Sequence, residues 1–254
     1  MDAACVRRAF LWACALDVQA RKPGNVSWAS PGHRMQAQQF IDSAQAAAGP
    51  LCTPGTPVGE RIEGAMQATL AAVGCNTNLG IVLLCAPLAG ACERVSGPLT
   101  ADPLRRALGE VLQGLSVADA RAAYRAIAAT QPGGLGRAET HDVADEPTIT
   151  LLAAMTLAAG RDRIARQYTQ SHADLFDHAM PVFMARASAA PVAALQQVFL
   201  ELLATWPDSH IVRKHGETVA HIVMTEAAPW RTRSREGHDL DADPAFAGWD
   251  ESLK

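Results

Sequence analysis

Residues 81–92 read Ile-Val-Leu-Leu-Cys-Ala-Pro-Leu-Ala-Gly-Ala-Cys, with no charged or amide side chain on any side. A helix without a polar face belongs in the middle of a core, so the rest of the chain must pack around this segment. Just ahead of it lies a polar turn, Gly74-Cys75-Asn76-Thr77-Asn78-Leu79-Gly80, and before that an alanine-rich helical pattern over 60–73. Two helices therefore deliver two amides and a hydroxyl to one place. Asn78 is placed to cap the central helix by accepting from its free N–H groups. A helix start with small residues is also a ready anion site. The plainer reading is that these amides only satisfy a buried turn.

Composition points the same way. Hydrophobic residues make up 49% of the 254, and charged residues only 19%. Few β-branched runs alternate, so strands have little support. The expectation is an all-α, single-domain multi-helix bundle around the buried central helix. Residues 1–228 would form the helical catalytic domain and 229–254 a C-terminal surface segment. A net charge of −4 and a pI near 6.0 give no electrostatic case for nucleic acid. Cys5, Cys14, Cys52, Cys75, Cys85 and Cys92 form no C-x-x-C pair and no zinc spacing. They read as small buried hydrophobes in a reducing compartment. No signal-peptide pattern opens the chain, and the run from Ile81 is too short to cross a bilayer. A cytoplasmic protein without a membrane partner is expected, with room for a homodimer.

Along the chain, helical periodicity covers 3–19 and 35–48, with a Pro- and Gly-rich loop over 49–59. A short amphipathic helix follows over 104–112. Ser116 and Asp119 read as a capping box opening a helix to about 129. One long helix is expected over 148–184, then helices over 191–206 and 217–227. Between the helices lie further polar centres. Lys22-Pro23-Gly24-Asn25 carries a Pro-Gly turn signal, and Lys22, Asn25 and Ser27 suit phosphate or ribose contact. Equally, this is an ordinary solvated turn. His33 follows, and Asp42 falls in mid-helix, where Asp has poor propensity. Gly133-Gly134-Leu135-Gly136-Arg137 allows close backbone approach to a ligand, although no strand or Gly-Lys-Ser/Thr accompanies it. Glu139, His141 and Asp142 next to it offer metal ligation or proton transfer.

Taken in order, these stretches resemble the triphosphoribosyl-dephospho-CoA synthase family. Lys22-Pro23-Gly24-Asn25-Val26-Ser27 is similar to its Lys-Pro-Gly segment. His33 and Phe40-Ile41-Asp42-Ser43-Ala44 resemble its His…Phe-x-Asp-Ser-Ala run. Gly74–Gly80 resembles its Gly-x-Asn-Thr-His-Lys-Gly motif, and the 133–142 loop stands where the family carries Gly-Ala-Arg-Gly-Glu. The match runs to about His221. Asn78-Leu79 replaces His-Lys, removing a cationic phosphate contact and marking a divergent member. The family often ends in Asn-Pro-Gly-Thr-x-Ala-Asp, and this chain reaches Lys254 without it, which reads as truncation.

The resemblance implies a transferase. The 2′-hydroxyl of 3′-dephospho-CoA would attack C1′ of the ATP ribose, and adenine would leave. Such chemistry calls for a carboxylate at an oxocarbenium-like centre, an acid for the leaving base and Mg²⁺ with donors on the triphosphate. Asp42 or Asp142 is the candidate carboxylate, and His33 or His141 the candidate acid. Lys22, Gly24, Asn25, Ser27, Asn76, Thr77, Asn78, Gly80, Gly133, Gly134, Gly136 and Arg137 are the candidate nucleotide contacts. Glu139 and Asp142 would stand near Mg²⁺. Two other readings remain: ribosyl transfer to another acceptor, such as a pterin-type precursor, and a non-catalytic helical nucleotide-binding or scaffold protein whose polar clusters are only caps.

Overall fold

Helix is the regular form throughout residues 2–133, 135–138 and 140–254, the part of the chain that the computed structural model describes. In order, the elements are α1 (Ala3–Gln19), α2 (Ala37–Cys52), α3 (Val58–Val73), α4 (Leu79–Arg94), α5 (Ala101–Gln113), α6 (Val117–Thr130), α7 (Leu151–Ala158) and α8 (Arg163–Thr169). A π-helix (Asp174–Ala179) follows, then α9 (Met180–Arg186), α10 (Pro191–Leu203), α11 (Ser209–His215), α12 (Glu217–Arg235) and α13 (Pro244–Ser252). The all-α expectation holds. By internal packing the chain divides into two compact units, residues 1–12 with 41–173 and residues 13–40 with 174–254.

In the first unit α4 packs against α3, α5 and α8, and none of residues 79–92 is exposed. Val82, Leu83, Ala86, Pro87, Ala89 and Ala91 are buried; each buried Val or Leu contributes about 1.5–3 kcal/mol. Pro87 should break this helix, because it has no N–H for the carbonyl of Leu83 four residues back. The phenol of Tyr168, on α8, donates to that carbonyl at 2.6 Å. The helix therefore runs on with its interior acceptor filled. Arg61 on α3 is fully buried and donates to the carbonyls of Leu51 and Thr56 at 2.7 and 2.8 Å and to Glu93 Oε1 at 2.6 Å. It ties α2, the loop before α3 and the end of α4 together. The capping box forms as expected: Ser116 accepts from the Asp119 amide, and the Asp119 carboxylate accepts from that of Ser116. Asp119 Oδ1 also accepts from the Gly59 amide at 2.8 Å. α6 approaches α3 so closely there that a Cβ on Gly59 would meet Asp119 backbone at 2.5 Å.

The long helix expected over 148–184 is four shorter ones. Gly160 and Asp162 interrupt it, with Asp162 capping α8 by accepting from the Ala165 amide at 3.0 Å. A second break falls at Ser171 and His172, both left-handed at φ 48 and 55. Pro181 then lies at the second residue of α9, directly after the π-helix. Elsewhere helix extends beyond its expected ends: α2 continues through Pro50 to Cys52, and α12 through Pro229 to Arg235.

In the second unit α10 packs against α9, α12 and the π-helix, and α11 against α12. The 229–254 stretch is not the surface segment expected from its alternating charges. Leu240 and Phe246 are buried with Leu200, and Trp230 and Trp249 close the cluster, their rings stacked 6.1 Å apart.

Candidate functional site

At the head of α4 the two amides act differently from the expectation. Gly74 takes the left-handed conformation at φ 70 and ends α3, its N–H reaching the Leu70 carbonyl. Asn78 holds the N-cap position, yet its side chain makes no capping bond. The cap comes from Asn76, whose Oδ1 accepts the Leu79 amide at 3.1 Å. The carboxamide of Asn78 is buried with neither its Nδ2 nor its Oδ1 partnered, and the Thr77 hydroxyl is likewise buried without a partner. Leaving such groups unmatched costs about 1–3 kcal/mol each. They converge on a helix N-terminus, where free N–H groups and the dipole favour an anion. Gly80, assigned to the nucleotide from sequence, has a packing reason: a Cβ there would meet Ile164 Cδ1 at 3.0 Å.

In the same unit, described residues on both sides of Asp142 turn back onto it. Its carboxylate accepts from the amides of Ala138 at 2.6 Å and Ala144 at 2.9 Å. Those two bonds hold the carboxyl below the usual carboxylate range, with Arg137 and Arg161 adding to the effect. Asp142 is therefore ionised at neutral pH, suited to facing positive charge and not to delivering a proton. His141 is exposed with φ 53, and its carbonyl accepts from the Tyr124 phenol at 2.9 Å. Gly133, Gly136 and Arg137 are exposed, Gly136 at φ 67. Gly134 and Glu139 lie outside the described residues. Asp42 is exposed on α2.

The second unit holds the Lys22–Asn25 turn. The Asn25 amide closes it onto the Lys22 carbonyl at 2.8 Å, and Gly24 takes φ 78. Lys22 is not the solvated side chain expected: it is buried, its ammonium 2.9 Å from Asp17 Oδ1. His33 is drawn onto the turn, with Nε2 2.9 Å from the Gly24 carbonyl. A carbonyl only accepts, so Nε2 carries the proton. Asn25 is exposed, while the hydroxyl of Ser27 is buried without a partner. Asp250 was not singled out from sequence, where it is one of many acids near the C-terminus. Its carboxylate accepts from the Gly24 amide at 2.9 Å and from the Ser30 hydroxyl. A partner 226 residues away leaves no local signal.

Apart from Asp42 on α2, the described candidates thus form three local groups: the Asn turn, the Asp142 loop and the Lys22 turn with His33. No cluster of three His, Cys, Asp or Glu side chains with metal-ligand geometry occurs among the described residues. Among them, too, no helix is long and apolar enough to cross a membrane. Two surface depressions, one lined by Arg105, Arg106, Gln170 and Ser171 and one by His221, Ile222 and Glu226, hold none of the candidates.

A family model described as ATP:dephospho-CoA triphosphoribosyl transferase matches residues 3–254, well past the last motif legible by eye. No curated protein and no solved structure matches the chain.

Proposed function

From the ATP:dephospho-CoA triphosphoribosyl transferase family, to which this chain belongs, we propose the reaction in detail. The 2′-hydroxyl of dephospho-CoA attacks C1′ of the ATP ribose. The C1′–N9 bond breaks, and its electrons leave with adenine. The hydroxyl proton passes to a base, adenine gains one from an acid, and the triphosphate stays on the transferred sugar.

The observation that carries this reading is the pair of unpartnered groups at the head of α4, the Asn78 carboxamide and the Thr77 hydroxyl. They fall inside the motif that resembles the family's, at a helix start suited to phosphate or ribose. A carboxamide donates and accepts at once, which matches a sugar hydroxyl. Asn76 and the N-terminus of α4 would complete that contact. Lys22, Asn25, Ser27 and Arg137 are the proposed further donors. Asp142, held ionised by two backbone amides, suits the oxocarbenium-like centre better than proton transfer; Asp42 is the alternative carboxylate. His33 and His141 are the candidate acids for departing adenine. Mg²⁺ typically binds through one or two carboxylates together with substrate phosphates. Asp142, with Glu139, would therefore hold it on the triphosphate, where it would neutralise charge.

Mass analysis of products from ATP and dephospho-CoA tests the reading: adenine should appear only when both are present, with a matching mass gain on the acceptor. Asn78 and Leu79, both buried and neutral, stand where the family motif has His-Lys, which favours one second reading, transfer to a different acceptor. The same assay with other hydroxyl acceptors, including pterin-type ones, separates the two.

A further inference from the structure

The Asp250 carboxylate lies almost wholly out of solvent, its residue 2% exposed. Burying a charge is unfavourable unless it is matched, and here it is matched from several sides. Oδ1 accepts from the Gly24 amide at 2.9 Å, and Oδ2 from the Ser30 hydroxyl. Arg21 Nε lies 3.9 Å and Lys254 Nζ 3.8 Å from Oδ2. Lys254 also donates to the Ser30 hydroxyl. Apart from Lys254 on its own segment, every partner belongs to residues 21–30, the stretch around the Lys-Pro-Gly-Asn turn.

α13 and the residues after it close on that turn without slack. A Cβ on Gly24 would stand 2.9 Å from Leu253 Cβ, and one on Gly32 would meet the Lys254 side chain at 3.3 Å. Within the turn the Asn25 amide to Lys22 carbonyl bond, at 2.8 Å, fixes the local bend. That single bond does not fix the direction in which the turn presents itself. The Asp250 carboxylate does, through the Gly24 amide at one end and Ser30 at the other.

We propose that Asp250 is a positioning residue for nucleotide binding, holding the Lys22–Asn25 turn in the shape that meets ATP. The proposal rests on the reading of that turn as a nucleotide contact. Asp250 touches no substrate; it acts through Gly24 and Ser30.

The test uses the full chain with Asp250→Ala, Asp250→Asn and Ser30→Ala, checked for fold by far-UV spectrum and melting. ATP affinity is measured by direct titration, alongside kcat and the KM for ATP and for dephospho-CoA. Folded Asp250→Ala should bind ATP about tenfold more weakly, the loss expected for one buried charged contact. Its KM for dephospho-CoA should stay unchanged. Asp250→Asn keeps an acceptor for the Gly24 amide and should recover most of the affinity, a rescue that a change in bulk stability alone would not give. Should Asp250→Ala fail to fold, Ser30→Ala, which removes one of the two contacts, should still weaken ATP a few-fold. Unchanged ATP affinity in folded Asp250→Ala overturns the proposal. So does tightened affinity, which would mean that the carboxylate occupies a seat meant for phosphate. Asn25→Ala separates the two failures. If it too leaves ATP affinity unchanged, the turn is no nucleotide site and the underlying reading falls with the proposal. If it weakens ATP while Asp250→Ala does not, only the positioning role is lost.

Discussion

The Tyr168 phenol reaches the carbonyl of Leu83 at 2.6 Å, the one acceptor in α4 that Pro87 cannot serve. A proline in the middle of a helix removes a donor and crowds the preceding turn; here a side chain from a neighbouring helix supplies the donor. Tyr168→Phe should leave that buried carbonyl unmatched and lower stability by about 1–3 kcal/mol. In a Pro87→Ala background the backbone regains an N–H at residue 87, so the same phenylalanine should cost much less. A double-mutant cycle by urea unfolding measures the difference. Equal losses in both backgrounds would disconnect the phenol from the proline.

Asn76 and Asn78 should separate on substitution. Asn76 caps α4, so Asn76→Ala should lower stability by about 0.5–2 kcal/mol. Asn78 has no partner to lose in the free protein. Asn78→Leu should therefore keep or raise the melting temperature, because an apolar group replaces an unmatched buried amide. If the carboxamide meets the nucleotide, that same protein should lose most of its transfer activity. A stable Asn78→Leu with normal turnover would make the amide irrelevant to chemistry.

His172 is fully buried, both ring nitrogens lack partners, and burial pushes its pKa from 6.5 down to about 4. The folded protein therefore prefers the neutral ring. Above pH 6.5 both folded and unfolded states are neutral and the group has no pH-dependent effect. Below it the unfolded chain takes up a proton that the folded chain refuses, so stability falls as pH drops towards about 4. The whole effect is about 3 kcal/mol. His172→Asn, which tolerates the left-handed backbone at this position, should flatten the urea midpoint between pH 6.5 and 5. An unchanged slope would place the acid sensitivity elsewhere.

Gly80→Ala decides between packing and ligand contact. The new methyl would meet the flexible end of Ile164 at 3.0 Å, while alanine gains about 1 kcal/mol of helix propensity over glycine. The two effects should nearly cancel, leaving stability within about 1 kcal/mol and turnover largely intact. An intact fold with turnover abolished would mean that substrate approaches the backbone there.

The features legible in the sequence were those whose causes are local. The apolar run announced α4, the Ser116–Asp119 spacing announced its capping box, and the lack of alternating runs announced an all-helical chain. Among the candidate residues, the Asn turn stands out in the sequence because its amides precede a core helix. What it lacked was the division of labour, since nothing in Asn-Thr-Asn says which amide turns back on the helix. The burial of Lys22 has no local signal, because its partner Asp17 lies one helical turn and a bend away. Arg61, Tyr168 and Asp250 left no signal at all. Each works through a partner brought near only by the fold, and each looks locally like a surface or core residue of its type. The 148–184 stretch contains no proline before Pro181 and only one glycine, Gly160, so little in it marks the breaks at Asp162 and at the Ser171–His172 pair.

The bond between Gly24 and Asp250 joins positions 226 residues apart, and this has a consequence in time. A ribosome adds about 5–20 residues per second, so the turn emerges roughly ten to forty seconds before the helix that fixes it has been made. Throughout that interval Lys22 can already meet Asp17, but the Gly24 amide and the Arg21 guanidinium lack the carboxylate that Asp250 later brings. Chains halted before residue 244 should accordingly leave this turn open to proteases and to passing anions, and chains that carry α13 should close it.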